Sequence, residues 1–176
     1  MTTEWLTSMN ALDAEAARAE LLTCCACSRW AEEMTAGRPY ADLAALRAAS
    51  AAALAVQDWT GIEEALAAHP RIGDRVHGGD REAVWSRGEQ SGVEGAADTL
   101  RAALTAGNRA YEERFGHVFL ICATGRDAMA MLAALRDRLH HDTGTERTLV
   151  RQELAKIVDL RLAKLLDGAR TNEGSA

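Results

Sequence analysis

Apolar positions recur along this chain with the period of an α-helix over most of its length. Asp13 is placed to cap a helix running to about Cys25, with Ala17, Leu21 and Cys24 on one stripe. Ser28 starts a short helix carrying Trp30 and Met34, which Gly37 ends. Leu43 to Val56 forms an alanine-rich helix with Leu43, Leu46, Ala53 and Leu54 facing inward, and Ser50 falls on the same stripe at a position suited to a close helix contact. Thr60 and Glu63 have the spacing of a capping box, so a further helix starts there and runs through Ile62, Leu66 and Ala67 to His69. Pro70 disfavours the helical conformation for the residue before it and stops that helix, and Gly73 permits a tight turn.

Residues 73–92 change character, with five glycines interleaved among charges, while Val84 and Trp85 supply apolar anchors against simple disorder. A long helix is expected from Glu94 to Phe115, burying Leu100, Leu104, Tyr111 and Phe115, with Gly116 as its stop. The run Val118-Phe119-Leu120-Ile121-Cys122-Ala123 reads locally as a buried strand, but no second strand-like segment exists to pair with it. An extended buried connector, or the start of a helix, is the expectation. Asp127 to Leu139 is helical, a loop follows at 140–144, and a final helix runs from about Thr145 to Asp167 with Gly168 as its stop. The tail from Ala169 to Ala176 is small and polar, and is expected to fray. No internal repeat or composition shift marks a second domain. The expected fold is all-α, a single-domain multi-helix bundle of about eight helices over residues 1–168.

Composition narrows the function classes. The 176 residues suffice for a substantial core, and only 2 are proline and 5% aromatic. A net charge of −6 and a pI near 5.4 argue against a general nucleic-acid binder, which carries a basic patch. No apolar run approaches the roughly 20 residues that span a bilayer, and the residues from Met1 to Trp5 lack the features of a signal peptide. These point to a cytoplasmic protein that binds neither nucleic acid nor membrane. Of the 4 cysteines, Cys24, Cys25 and Cys27 crowd together and Cys122 lies in the apolar run. Cys-Cys-x-Cys is not a zinc spacing and no second ligand pair accompanies it, so small buried hydrophobes explain these residues best.

Candidate chemistry centres on His69, an imidazole at a corner where the chain leaves a helix; a helix stop with a solvated histidine is the plainer reading of the same residues. Ser86-Arg87-Gly88-Glu89-Gln90 follows soon after. Its serine, carboxylate and amide suit a small polar molecule, and a histidine with a carboxylate can form an acid–base pair. The same residues also read as a helix start, Ser86 capping and Glu89 completing a capping box, where free backbone amides would attract an anion. His140-His141-Asp142 lacks further ligands at metal spacing and reads as a solvated loop. His117 reads as structural or partly exposed, and His77 as a residue of a pocket edge. Phosphate-loop, dinucleotide and serine-hydrolase signatures do not occur.

Four separated motifs, in order, resemble one family. They are His69-Pro70-Arg71-Ile72-Gly73; Ser86-x-x-Glu89-Gln90; Phe115-Gly116-His117-Val118-Phe119-Leu120-Ile121-Cys122-Ala123-Thr124-Gly125; and Ile157-x-x-Leu160-Arg161-Leu162. Met9-Asn10-Ala11-Leu12 and Trp30-x(7)-Arg38-Pro39-Tyr40 fit as well. Together they resemble the OHCU decarboxylases, which act on 2-oxo-4-hydroxy-4-carboxy-5-ureidoimidazoline in urate degradation. The resemblance covers nearly the whole chain. It implies an all-helical domain, usually a homodimer, that forms (S)-allantoin and CO2 without a cofactor or metal. By position it implies His69 and Glu89 as catalytic residues. It implies Pro70, Ser86, Arg87, Gly88 and Gln90, Ile121, Cys122, Ala123, Thr124 and Gly125, and Arg161 as substrate-binding residues. His117 departs from the pattern, since relatives more often carry an apolar or aromatic residue there. A different class remains as the alternative: a small helical thiol- or metal-responsive binding protein using Cys24, Cys25 and Cys27.

Overall fold

Six aspartates set where helices begin. Asp13, Asp42, Asp58, Asp80, Asp127 and Asp142 each accept, through a carboxylate oxygen, the backbone N–H three residues on, at 2.7–2.9 Å. Each satisfies one of the donors that a helix start leaves unpaired. The computed structural model describes residues 4–74 and 77–171, with side chains described through Leu165. Among those residues the helices are α1 (Glu4–Ala11), α2 (Ala14–Cys24), α3 (Ser28–Ala36), α4 (Leu43–Ala55), α5 (Trp59–Ala67), α6 (Arg81–Glu89), α7 (Asp98–Phe115), α8 (Ala128–Arg138) and α9 (Thr143–Thr171). A 3₁₀ turn at Ser91–Val93 lies between α6 and α7. No β-strand forms among the described residues, and no helix there is long and apolar enough to cross a membrane.

The all-α expectation holds, and α1, which buries Leu6 and Met9, is a helix the periodicity did not reveal. Four boundaries differ for physical reasons. Asp58, not a Thr60–Glu63 capping box, starts α5, and the Glu63 carboxylate instead accepts the Trp59 indole N–H at 2.6 Å. Asp80 starts α6, so Ser86 and Glu89 lie in its last turns rather than its first. That removes the anion-binding helix start expected at Ser86. α7 starts at Asp98 rather than Glu94, because Gly95 turns with φ 76° just before it. α9 runs through Gly168 to Thr171, since a lone helical glycine costs only about 1 kcal/mol and no proline follows it. Residues 172–176 of the expected tail lie outside the described residues.

Packing divides the chain into two compact units, residues 1–65 with 155–176, and residues 66–154. In the first, α2, α3 and α4 bury Leu21, Trp30, Met34, Leu46 and Leu54. The Trp30 indole N–H donates to the Ser50 carbonyl at 3.3 Å, which accounts for the small residue on the α4 stripe. Two of the sequence motifs serve this unit's architecture. The Asn10 amide pairs with the backbone of Tyr40 in both directions, at 2.9 and 3.0 Å. The Arg38 guanidinium caps the Met9 and Leu12 carbonyls, each at 2.8 Å. In the second unit α7 and α8 pack around Leu104, Tyr111, Phe119, Met131 and Leu135, and they approach closely at Gly107, where an added Cβ would lie 2.3 Å from the Leu135 side chain.

Candidate active site

The histidine motif leaves α5 just past its last residue. The His69 N–H donates to the Leu66 carbonyl at 3.0 Å, closing the helix, and Pro70 directs the chain away; both residues are half-buried. Three side chains then fix the turn that follows. The Arg71 guanidinium forms a two-pronged pair with Glu112 of α7, at 2.6 and 2.9 Å. The Asn108 amide donates to the Ile72 carbonyl at 2.8 Å. Gln90 uses both ends of its amide: its oxygen accepts the Gly73 N–H at 3.0 Å, and its nitrogen donates to the Arg71 carbonyl at 3.4 Å. Gly73 has φ 91°, a left-handed conformation that disfavours any side chain.

The second motif ends α6. Ser86 is buried, Arg87 and Glu89 are half-buried, and Gly88 is exposed. Arg87 donates to the Gly78 carbonyl at 2.7 Å. A cleft of about 290 Å³ opens beside this turn, lined by Gly73, Asp74, His77, Arg87, Gln90 and Arg101 among others, so His77 does stand at a pocket edge. Gln90 is buried against the loop it clamps. A Gln90→Leu variant, which leaves the Gly73 N–H and Arg71 carbonyl without this partner, is expected to lose about 1–3 kcal/mol of stability. Denaturant unfolding of the two proteins checks this; equal midpoints and slopes would show that the clamp carries no load.

The third motif is the connector after α7. Residues 117–127 form neither helix nor strand. Phe119, Ile121 and Ala123 point alternately into the apolar core of residues 66–154, as period-2 extended backbone requires. The Ile121 and Ala123 side chains are therefore core. Cys122 is half-buried, Thr124 and Gly125 are exposed, and Gly125 turns with φ 77°.

One apolar cluster ties the three motifs together. Ile72 from the histidine turn, Val93 just past α6, and Ile121 with Ala123 from the connector all pack into it. Contact is closest at Gly92, where an added Cβ would sit 1.9 Å from the Arg126 carbonyl oxygen. Only a glycine lets the end of α6 and the turn after Gly125 approach this far. Arg161 lies in α9 within the other unit, buried, where its charge acts on the Cys25 thiol.

The connector is held by buried charges. Arg138 donates to the Leu120 carbonyl at 2.7 Å and to Glu146 Oε1 from Nε and Nη2, at 2.8 and 2.5 Å. Glu146 also accepts from the Tyr111 hydroxyl, and its other oxygen pairs with His141 Nδ1 at 3.0 Å. Burial pushes the Glu146 carboxyl up, but hydrogen bonds from Arg138, Tyr111 and His141 outweigh it and hold the group below the ordinary value of 4.5. A carboxylate depressed on folding adds stability above its unfolded value and loses it as pH falls through the folded one. Glu146→Gln is therefore expected to be less stable at pH 7 by about 3–5 kcal/mol, with the gap to the parent narrowing below about pH 4. Denaturant titrations across that range check the sign; a gap independent of pH would contradict it.

Asp142 of the histidine-rich loop caps α9, accepting from both the backbone and the hydroxyl of Thr145, so this loop is architectural. The thiol reading gains no support. Cys24, Cys25 and Cys27 are all buried, and burial pushes Cys25 up to about 12 and raises Cys27 as well. Such thiols hold little thiolate at neutral pH. Among the described residues no group of three or more His, Cys, Asp or Glu is arranged for a metal ion.

Sequence reasoning missed Gly92, Asn108, Arg138, Glu146 and Glu153. A signal existed for two of them. Asn108 interrupts the apolar stripe of Leu104 and Tyr111, and Glu153 that of Val150 and Ile157, and a polar residue on a core stripe must find a buried partner.

Comparison with known proteins identifies the family. A model of the OHCU decarboxylase family matches residues 10–163. Over 152 residues, 83% of the chain, the sequence is 32% identical to the uric acid degradation bifunctional protein TTL of Arabidopsis thaliana, of whose length it spans 46%. It is 29% identical over 150 residues to the 2-oxo-4-hydroxy-4-carboxy-5-ureidoimidazoline decarboxylase of Amia calva, covering 83% of this chain and 85% of that one. The protein of the same name from Haloferax volcanii is 32% identical over 144 residues, with 78% and 81% covered. Among solved structures, an OHCU decarboxylase crystallised in the presence of (S)-allantoin superposes with a TM-score of 0.74 at 29% identity, over 84% of this chain and 97% of that one. An (S)-allantoin synthase at 19% identity shares the fold, with a TM-score of 0.67 over 94% of this chain and 54% of that one. Family model, relatives and fold agree, and the chain belongs to the OHCU decarboxylase family.

Proposed function

We propose that this protein decarboxylates 2-oxo-4-hydroxy-4-carboxy-5-ureidoimidazoline to (S)-allantoin and CO2. The observation that carries this reading is the attachment of the His69 turn, the end of α6 and the 121–125 connector to one apolar cluster, next to a cleft lined by Gly73, Arg87 and Gln90. These are the segments that the family resemblance associates with the reaction.

The chemistry needs placement more than a cofactor. The carboxylate leaves from a carbon that bears a hydroxyl and adjoins a C=N bond. As the C–CO2 bond breaks, its electron pair forms a new C=C bond while the imine nitrogen takes up a proton. The resulting enol loses its hydroxyl proton, and the adjacent carbon gains one on a single face. His69 is the principal proton-transfer group at the hydroxyl, because imidazole gives and takes protons near neutral pH. Glu89 orients it or shares the proton. Pro70, Ser86, Arg87, Gly88 and Gln90 shape one side of the site, with Gln90 acting chiefly by clamping the histidine turn. Within the segment Ile121, Cys122, Ala123, Thr124 and Gly125, backbone groups other than the Cys122 N–H, which Glu153 holds, meet the ring and ureido amides, which offer paired donors and acceptors. Arg161 enters this reading by its position in the family resemblance alone.

We infer further that residues 1–168 act as one catalytic domain, that the protein works as a cytoplasmic homodimer, and that it needs no metal. CO2 release from freshly generated substrate tests the reaction. Release above the spontaneous rate and proportional to protein concentration is expected. A rate unaffected by the protein, at any concentration, would end this reading.

A further inference from the structure

The connector poses an accounting problem. It is extended and largely buried, yet it has no neighbouring strand among the described residues, and buried backbone groups must be paired. Two charged side chains take the place of that strand. The Leu120 carbonyl accepts from Arg138 Nη1, and the Cys122 N–H donates to Glu153 Oε2, each at 2.7 Å. In extended backbone the carbonyl of one residue and the N–H two residues on point to the same edge. Arg138 from α8 and Glu153 from α9 therefore grip one edge, and the intervening Ile121 peptide groups are turned to the other.

Both grips are rigid. Arg138 and Glu153 are almost wholly buried, at 4% exposure each. The Arg138 guanidinium is held by Glu146 and lies over the Phe119 ring at 4.6 Å. Because arginine has five donors in a planar fork, it reaches Glu146 and the Leu120 carbonyl at once.

We propose that Arg138 and Glu153 are positioning residues for the substrate-facing backbone of Ile121–Gly125, standing in for the strand this segment lacks. The proposal rests on reading that segment as part of the substrate pocket. A backbone that has slipped meets the substrate amides poorly, so loss of either grip weakens substrate binding first.

The test compares steady-state kinetics of the full chain with freshly generated substrate, at a temperature where near-UV circular dichroism shows each variant folded. Glu153→Leu removes the acceptor at similar size and is expected to lower kcat/KM about 10- to 100-fold, mainly through a higher KM. Glu153→Gln keeps an acceptor for the Cys122 N–H and is expected to stay within about threefold of the parent, on the scale of one weakened hydrogen bond. Arg138→Lys keeps the charge beside Glu146 but loses the fork, and should raise KM as Glu153→Leu does; it decides the matter if the leucine variant does not fold. Parental kinetics in folded Arg138→Lys or Glu153→Leu would overturn the proposal. So would a Glu153→Gln variant as impaired as the leucine one, since the charge rather than the hydrogen bond would then matter. An inactive parent would instead refute the proposed reaction, which separates the two failures.

Discussion

Replacing His69 with asparagine is expected to remove most of the catalysis while leaving the fold intact. Asparagine fills the corner and keeps a polar side chain, but it cannot take or give a proton near neutral pH. General acid–base groups of this kind contribute roughly 10²–10⁴ in rate, so kcat/KM should fall by about that factor. Stability should hardly change, because the turn is fixed elsewhere. Arg71 is held by Glu112, the Ile72 carbonyl by Asn108, and the Gly73 N–H by Gln90, and none of these bonds uses the imidazole. Thermal unfolding and steady-state kinetics on the same preparation separate the two effects. A folded variant with near-parental activity would show that the histidine is not the proton-transfer group.

Glu89→Ala is the second large effect. Glu89 is the last residue of α6, whose start is capped by Asp80. A carboxylate at a helix C-terminus faces the negative end of the macrodipole, which costs a few tenths of a kcal/mol up to about 1. Alanine is also at least as good a helix former as glutamate. Helix energetics alone do not favour this carboxylate in its place. The rate is expected to fall about 10²-fold or more, with the unfolding midpoint within about 2 °C of the parent. The opposite pattern, a lowered midpoint with the rate kept, would make Glu89 a structural residue.

Much of the fold was legible in the sequence because helical stripes and aspartate caps are local signals. Asp13, Asp42 and Asp127 each stand one residue before a helix, where the alanine-rich and leucine-rich patterns begin. The connector was legible too, since an apolar run with no partner strand cannot join a sheet. At α6 the reading failed. Ser86 and Glu89 have the spacing of a capping box, but Asp80 with its acceptor bond to Ala83 begins the helix earlier, inside a stretch whose glycines masked it. Motif order pointed to the histidine turn, the α6 end and the connector, yet what holds them in place was not visible. Gln90, Asn108, Arg138 and Glu153 act on backbone groups distant in sequence, and nothing in a linear pattern states which carbonyl a buried side chain meets. Gly92 is similar: its need for glycine comes from the Arg126 carbonyl, more than thirty residues away.

The central claim is stereochemical as well as catalytic. The substrate also decarboxylates slowly in water, where both faces of the enol are protonated alike. Circular dichroism followed during decay of freshly generated substrate reads rate and handedness together. The account predicts an (S)-allantoin signal that grows in proportion to protein concentration and collapses in His69→Asn. Allantoin appearing at the spontaneous rate, with no optical activity in the presence of folded protein, would contradict it.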